Sequence, residues 1–371
     1  MFLAGQMSAG LRRKGLYFMG WWALPVDIGT TSVAAVVRQR GRIEVVEFAG
    51  RQTLPSTVFC PDGQPPLAGL PVAEQAVSEP GRTVLSPKRA LADSDTVTVG
   101  GAALPLAEVY AALLTAVVRE AARGRMHARP RRLILTYPAG WEDRQLAVLC
   151  RAAHDAGLPA PALVAEPVAV AWQLAADSRP GQFVAILDVG GGSIDAAVLR
   201  RTREGFELAG PPGSLPLPAG DAPEPALRRG TYEFLATISS AGLTPDQLAA
   251  VHVTGGGSRA PGIADLILQV LGVRPHLASG PEAATVRGAA TAALGQPARQ
   301  VSGRRIPRRT TPAAAGAAPP QDPESPSRRL QCLVPGMAKR SFSVAALAAA
   351  AVAVSLLVLI TLLTGAPSLY R

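Results

Sequence analysis

Two stretches of the sequence join an aspartate to a turn of small residues, a pattern suited to phosphate chemistry. The first is VDIGTTSVAAVV at 26–37, with Asp27, and the second is LDVGGGSIDAAVLR at 187–200, with Asp188. Small residues let backbone N–H groups approach phosphate oxygens, and hydroxyl side chains add donors. Each aspartate can hold a hydrated magnesium ion, which prefers oxygen ligands and keeps part of its water shell. The residues predicted to cradle phosphates are Gly29, Thr30, Thr31, Gly190, Gly191, Gly192 and Ser193.

The two stretches also repeat one order of elements. Each has a strand that ends in aspartate, a turn of glycine with threonine or serine, and a second strand. One glycine-rich turn is weak evidence, because most such turns only reverse the chain. Two matching turns after acidic strand ends are more specific. They predict two similar lobes, each of which contributes a phosphate-facing hairpin to a shared cleft.

The elements that must position these hairpins alternate between strands and helices from Leu24 to Leu294, which predicts an α/β fold. Short apolar runs that end in small or polar residues predict buried strands at Leu133–Tyr137, Phe183–Asp188 and Val251–Thr254. Apolar residues at helical spacing predict the helices Leu106–Ala122, Glu142–Ala156, Glu166–Ala176, Ala264–Leu271 and Pro281–Leu294.

Further segments follow in an order that resembles the nucleotide-binding domain of the heat shock protein 70 (DnaK-like) family. The resemblance covers about residues 24–294. It is carried, besides the two hairpins, by PSTVF at 55–59, AEQAVSEPGRTVLSPKRAL at 73–91, LILTYPAGWEDRQLAVLCRAAHDAGL at 133–158, AEPVAVAWQLA at 165–175, VHVTGGGSRAPGI at 251–263 and PEAATVRGAATAA at 281–293. Lys88 matches the family's catalytic lysine, and only three lysines accompany thirty-four arginines in this chain.

This resemblance implies an actin-like ATPase fold of two α/β lobes, with ATP and Mg²⁺ in the cleft between them. It implies that Asp27, Glu166 and Asp188 hold magnesium through water and orient the attacking water. It also implies that Lys88 neutralises the γ-phosphate in the transition state. The residues that it places around the nucleoside are Gly255, Gly256, Ser258 and Arg259.

The sequence departs from the family pattern in two places. After AGD at 219–221 the family inserts a long helical subdomain that carries part of the adenine clamp, whereas here Leu227, Arg229, Gly230 and Thr231 already resemble the segment beyond it. We therefore expect adenine to be held from one side, with poor base selectivity. The peptide-binding domain of the family is also missing, so its usual action on unfolded chains is not expected.

The C-terminal part differs in composition from the rest. Residues 296–342 are rich in Pro, Ala and Arg without apolar periodicity, which predicts a disordered linker. Residues 343–364 form an uncharged apolar run long enough for a transmembrane helix, followed by a short tail at 365–371. Lys339 and Arg340 precede this run, which predicts a single-pass membrane protein with its N-terminal domain in the cytoplasm.

The N-terminal region is predicted to be an extension at 1–23, with the start at Met1 or Met19. A signal peptide is not expected, because its apolar stretch runs into Val26 and Asp27 without a cleavage site of small residues. The two lobes are predicted at 24–180 and 181–295, the second in truncated form.

The formal charge of +10 gives little support for a nucleic-acid partner. Residues 299–340 carry nine basic and two acidic side chains, and Arg12, Arg13 and Lys14 supply the other three charges, so the folded part is close to neutral. We expect no nucleic-acid binding. The three cysteines and four histidines are scattered, which predicts neither a disulfide framework nor a zinc site.

Three functions remain in competition. The first is a slow, chaperone-like ATPase that relays lobe closure to a protein partner at the membrane. The second is a non-hydrolysing, nucleotide-gated membrane scaffold or signalling pseudo-ATPase. The third is a small-molecule kinase of the same superfold. The presence of Asp27, Lys88, Glu166 and Asp188 favours the first over the second, and the third needs a substrate pocket and a base that the sequence does not locate.

Overall fold

The computed structural model describes residues 22–123, 125, 128–217, 223–295, 298–300 and 333–335. Their strands, in chain order, are β1 Ala23–Ile28, β2 Ser32–Gln39, β3 Arg42–Val45, β4 Thr53–Pro55, β5 Val58–Phe59, β6 Leu67–Ala68, β7 Thr83–Val84, β8 Thr96–Val99, β9 Ala102–Pro105, β10 Arg132–Tyr137, β11 Ala162–Ala165, β12 Phe183–Val189, β13 Ser193–Arg201, β14 Phe206–Leu208, β15 Gly213–Pro216, β16 Ala250–Thr254, β17 His276–Leu277, β18 Ala298–Gln300 and β19 Leu333–Pro335.

The α-helices of the same residues are α1 Leu70–Ser78, α2 Pro87–Asp93, α3 Leu106–Ala121, α4 Asp143–Asp155, α5 Glu166–Leu174, α6 Pro223–Ser240, α7 Ile263–Leu271 and α8 Ala284–Gly295. Short 3₁₀ turns lie at Pro80–Arg82, Pro245–Gln247, Gly256–Arg259 and Pro281–Ala283. The strands and helices predicted from periodicity are confirmed to within two residues at nearly every end. The exception is the last predicted helix, which begins as a 3₁₀ turn and continues as α8.

The first sheet has the order β18-β19-β11-β10-β1-β2-β3, with β4 also paired to β2. Strands β1, β10 and β11 are parallel, so their carboxyl ends meet at one edge of the sheet. Asp27, Thr136 and Glu166 lie at or just beyond these ends. This edge is where the site is built, because residues that are far apart in sequence come together there.

The second sheet has the order β14-β13-β12-β16-β17, with β15 also paired to β13. Strand β12 is antiparallel to β13 and parallel to β16, which repeats the relation of β1 to β2 and β10 in the first sheet. Asp188 lies near the end of β12, in the place that Asp27 holds in β1. The structure thus contains the two similar hairpins that the repeated sequence pattern predicts.

Each sheet has its own apolar core, and two helices pack closely beside the first sheet. One cluster of buried residues includes Leu24, Tyr110 and Leu163, and a second under the other sheet includes Phe234 and Ile267. Helices α5 and α8 make the most extensive contact between helices.

The crossing of these two helices depends on Gly288. A Cβ at this position would lie 1.7 Å from the carbonyl oxygen of Ala169. A glycine is therefore needed for α5, which begins with Glu166, to lie this close to α8.

Two features of the C-terminal part and the cysteines correct the sequence analysis. Strands β18 and β19 fall inside the range 296–342, for which a disordered linker was predicted, and β19 joins the first sheet beside β11. The other residues of that range lie outside those described. Cys150 on α4 is disulfide-bonded, contrary to the expectation of no disulfide, whereas Cys60 is free.

No helix in the described ranges is long and apolar enough to cross a membrane. The predicted fold class is corrected accordingly: the α/β architecture is found, but the C-terminal transmembrane helix that we added to it is not supported. That prediction used apolar composition alone and fell on residues 343–364, which lie outside the described residues. The predicted single-pass membrane localisation, with a cytoplasmic N-terminal domain, depended on this helix and is withdrawn with it.

Candidate functional site

The two aspartate hairpins face each other across a cleft and approach closely at their turns. A Cβ on Gly192 would lie 2.3 Å from Cγ2 of Thr30, and one on Gly191 would lie 2.6 Å from Cγ2 of Thr31. A side chain larger than hydrogen at either position would require Thr30 or Thr31 to move. The two turns that were predicted to cradle phosphates therefore contact each other directly.

Each turn is closed by the same backbone hydrogen bond. The N–H of Gly29 donates to the carbonyl of Ser32 at 2.9 Å, and the N–H of Gly190 donates to the carbonyl of Ser193 at 2.9 Å. Ser86 also supports the first turn, because its Oγ donates to the carbonyl of Thr30 at 2.8 Å. These hydrogen bonds use carbonyl groups of the turns and fix their backbone. The small residues of the turns therefore stay at the cleft.

Lys88 and Glu166 form a buried ion pair at the edge of the first sheet. Lys88 Nζ lies 2.6 Å from Glu166 Oε1, and the two side chains are 13% and 9% exposed. Lys88 is placed there by the start of α2 and Glu166 by the start of α5. Asp27 lies on the neighbouring strand β1 and accepts a hydrogen bond of 2.5 Å from Thr136 Oγ1.

The second hairpin brings two carboxylates together. Asp188 on β12 lies opposite Asp195 on β13, and both line the cleft. Asp195 accepts hydrogen bonds from Ser193 Oγ at 2.6 Å and from Ser214 Oγ at 2.5 Å. The sequence analysis missed Asp195, although its position two residues after Ser193 on a strand places both side chains on one face.

The charged side chains of the site shift the pKa values of Lys88, Glu166 and Asp188. Burial lowers the pKa of Lys88, but the negative charges of Glu166, Asp27 and Asp195 outweigh it and raise the pKa above its usual value. Burial also raises the pKa of Glu166, and the charge of Lys88 reduces that rise only in part. Burial and the neighbouring Asp195 raise the pKa of Asp188 to about 7. Carboxyl groups outnumber the cations Lys88 and Arg89 in the lining of this cleft, and a further cation would be stabilised there.

The cleft has a volume of about 540 Å³ and is lined by both polar and apolar residues. Its polar and charged lining residues include Thr30, Lys88, Arg89, Asp93, Glu166, Asp188, Ser193, Asp195 and Ser214. Its apolar lining residues include Ala92, Trp141, Val170, Ile186, Pro212 and Leu217. Arg89 on α2 also bonds to the segment after β15, because its Nη2 donates to the carbonyl of Leu217 at 2.8 Å.

The residues predicted to hold the nucleoside lie in the turn that directly follows β16. Gly255 has φ +80°, and a Cβ there would lie 2.2 Å from Oδ1 of Asp188, so this turn packs directly on the carboxylate. Gly256 begins the 3₁₀ turn that follows, and Ser258 is only 4% exposed. Arg259 makes two hydrogen bonds of 2.8 Å with Glu282. These four residues do not line the cleft described above.

No three acidic, histidine or cysteine side chains among the described residues are placed to hold one metal ion directly. The donors present are nevertheless the hard oxygen ligands that Mg²⁺ prefers. Because Mg²⁺ commonly keeps several waters, this donor set is compatible with an ion held through water.

The chain is also similar in sequence to known proteins. Residues 94–214 match the family model described as "Hsp70 protein". The chain is 33% identical over 178 residues to chaperone protein DnaK of Halobacterium salinarum, an alignment covering 47% of this chain and 28% of that protein. It is 28% identical over 243 residues to chaperone protein DnaK of Elusimicrobium minutum, covering 63% of this chain and 39% of that protein.

These matches support an Hsp70-family nucleotide-binding domain within the chain. The chain spans 28% to 39% of the length of these DnaK relatives. The family match includes Glu166, Asp188 and Asp195 but ends before the turn at Gly255 and begins after Asp27 and Lys88. The family model therefore does not bear on Asp27 and Lys88, whose roles are predicted from the motif resemblance.

Proposed function

We propose that this Hsp70-type domain binds ATP with magnesium in the cleft between its two sheets and hydrolyses ATP slowly. The observation that carries the proposal is the convergence of Lys88, Glu166, Asp188 and Asp195 beneath two glycine turns that face each other. Two cationic side chains and several carboxylates in one cleft suit a polyphosphate accompanied by a divalent cation.

In this proposal the backbone N–H groups of the two turns bind the phosphates. Asp27, Glu166 and Asp188 hold magnesium through water, and one of these carboxylates orients the attacking water. Lys88 turns from Glu166 toward the γ-phosphate and neutralises the charge that develops as the bond to ADP breaks. When bound, magnesium supplies further charge neutralisation on the phosphate oxygens.

The nucleoside is proposed to lie at Gly255, Gly256, Ser258 and Arg259, of which Gly255 packs against Asp188. Arg259 can reach a base only by leaving Glu282, and the helical subdomain that would close over adenine is not found in the sequence. We therefore propose weak, phosphate-dominated binding. The relay of lobe closure to a protein partner, with lobes bounded at about 24–180 and 181–295, completes the chaperone-like proposal.

The proposal is tested by single-turnover hydrolysis of radiolabelled ATP by the full chain, comparing the unchanged protein with Lys88→Ala. We expect slow, magnesium-dependent release of phosphate that falls by roughly 100-fold or more in the variant, because charge neutralisation matters most in the transition state. Arg200→Ala is the control, since Arg200 pairs with Glu207 on the exposed face of the second sheet. Equal rates in Lys88→Ala and the unchanged protein would refute the ATPase proposal.

A further inference from the structure

One covalent bond of the molecule has no part in the function proposed so far. Cys150, on the buried face of α4, is disulfide-bonded, whereas Cys60 is free. The chain has three cysteines, so the partner that remains for Cys150 within the chain is Cys332. This residue directly precedes β19 in sequence. The disulfide therefore indicates a covalent tether between α4 and the strands β18 and β19, which we call the C-terminal strand pair.

The C-terminal strand pair lies at one end of the first sheet. Strand β19 pairs in parallel with β11, with Leu333 opposite Ala162, and antiparallel with β18. Without β19, β11 would be the last strand at this end of the sheet. Strand β11 also leads directly into Glu166, the first residue of α5. The pair therefore covers backbone groups of β11 that would otherwise be open to pairing with another extended chain.

The backbone pairing of these strands is too short to hold them firmly. Strands β18 and β19 have three residues each, and in the described part of the chain one residue pair sets the register of β19 on β11. Strand pairing of this size is marginally stable by itself. Bringing β19 beside β18 also closes the chain over residues 301–332, which costs conformational entropy. A disulfide at the residue before β19 reduces this cost, because it restricts the chain even when the strands separate.

We propose that Cys150 and Cys332 form a redox-sensitive latch that holds the C-terminal strand pair on β11, and that reduction of the disulfide releases the pair and exposes the edge of β11. This inference goes beyond the proposed function, since it requires no nucleotide.

The latch closes by thiol–disulfide exchange with a small disulfide such as oxidised glutathione. One cysteine thiolate attacks the small disulfide and releases one small thiol, and the second cysteine then displaces the other. The two cysteines lose two electrons and two protons, and the small disulfide becomes two thiols. A dithiol reductant opens the latch by the reverse exchange.

Thiol labelling and mass spectrometry of the full chain test the pairing. In denaturant without reductant, we expect label on Cys60 alone and a crosslinked peptide that joins Cys150 to Cys332. After reduction, all three cysteines should take the label. Label on both Cys150 and Cys332 before reduction, or a crosslink from Cys150 to a second chain, would overturn the pairing.

Hydrogen exchange tests the release. We expect the amides of Leu333 and Val334 to exchange roughly tenfold faster or more in Cys332→Ser and in the reduced chain, because the strand pair then opens locally. Reoxidation with oxidised glutathione should restore slow exchange. Cys60→Ser is the matched control, since it removes the free thiol and keeps the disulfide.

The reduced, unsubstituted chain provides the same test if Cys332→Ser does not fold. Slow exchange of β19 that persists after reduction would show that the disulfide does not hold the strand pair, and the inference would be wrong. The proposed ATPase function would be unaffected by that result, because no nucleotide enters these measurements.

Discussion

The two hairpins at the cleft have the same backbone but different electrostatic surroundings. In the first, Asp27 lies opposite Ala34 on the paired strand and accepts a hydrogen bond from Thr136. In the second, Asp188 lies opposite a second carboxylate, Asp195. The turns close with equivalent hydrogen bonds of equal length. The duplicated fold therefore places the same aspartate in one polar and one charge-crowded environment.

This difference indicates that the two hairpins have different roles. The first is stabilised within the protein alone, since Asp27 has a partner and Lys88 lies beside Glu166. The second is a carboxylate pair that becomes more stable when a cation or a proton reduces its charge. We therefore expect the second hairpin to control the response to magnesium and pH, and the first to control the stability of the cleft.

The largest expected effect is the removal of the buried charge at Asp188. A carboxyl group whose pKa rises from 3.8 to about 7 on folding keeps its proton in the folded chain while the unfolded chain loses it, so stability falls as pH rises through this window. The unfolding free energy of the unchanged protein should fall between pH 4.5 and pH 8, and Asp188→Asn should make this fall smaller by about 2–3 kcal/mol. The measurement is urea unfolding with a chelator present.

Asp27→Asn is the matched variant in the first hairpin, where Ala34 lies opposite the aspartate, so this substitution relieves no repulsion between paired carboxylates. An equal effect of the two substitutions would show that the hairpins do not differ electrostatically. A steeper loss of stability with pH in Asp188→Asn would contradict the account directly.

A smaller effect is expected from the glycines that close the turns. A Cβ on Gly29 would lie 2.7 Å from the carbonyl oxygen of Ser32, whereas one on Gly190 would lie 3.2 Å from that of Ser193. Gly29→Ala should therefore lower the unfolding free energy by about 1–3 kcal/mol, and Gly190→Ala by less. Chemical unfolding measures both, with Gly81→Ala as control because a Cβ there meets nothing within 4 Å. The reverse order would mean that the first turn is not the tighter one.

The sequence predicted the hairpins and the long elements well because both depend on local pattern. Asp27 and Asp188 lie near the ends of apolar strands and are followed by small residues. This local arrangement depends little on the rest of the chain. Lys88 and Glu166 lie far apart in sequence, and only the order of motifs resembling the heat shock protein 70 family indicated that they meet. The structure then places them 2.6 Å apart.

Other residues could not be predicted because their role depends on what packs beside them. Asp195 was overlooked because it lies within a strand, where a charged residue usually indicates a solvent-facing position. Arg259 was expected at the nucleoside, but Glu282 from a later turn binds it. The strands β18 and β19 formed in a region whose composition gave no strand signal.

The most direct test of the central claim is a calorimetric titration of the full chain with ATP, in magnesium and again with a chelator. We expect weak binding that is tighter for ATP than for ADP, that weakens without magnesium, and that differs little between ATP and GTP, because the phosphates supply most of the contacts. Tight, adenine-selective binding that is indifferent to magnesium and to the number of phosphates would contradict the account of the cleft as a phosphate and magnesium site.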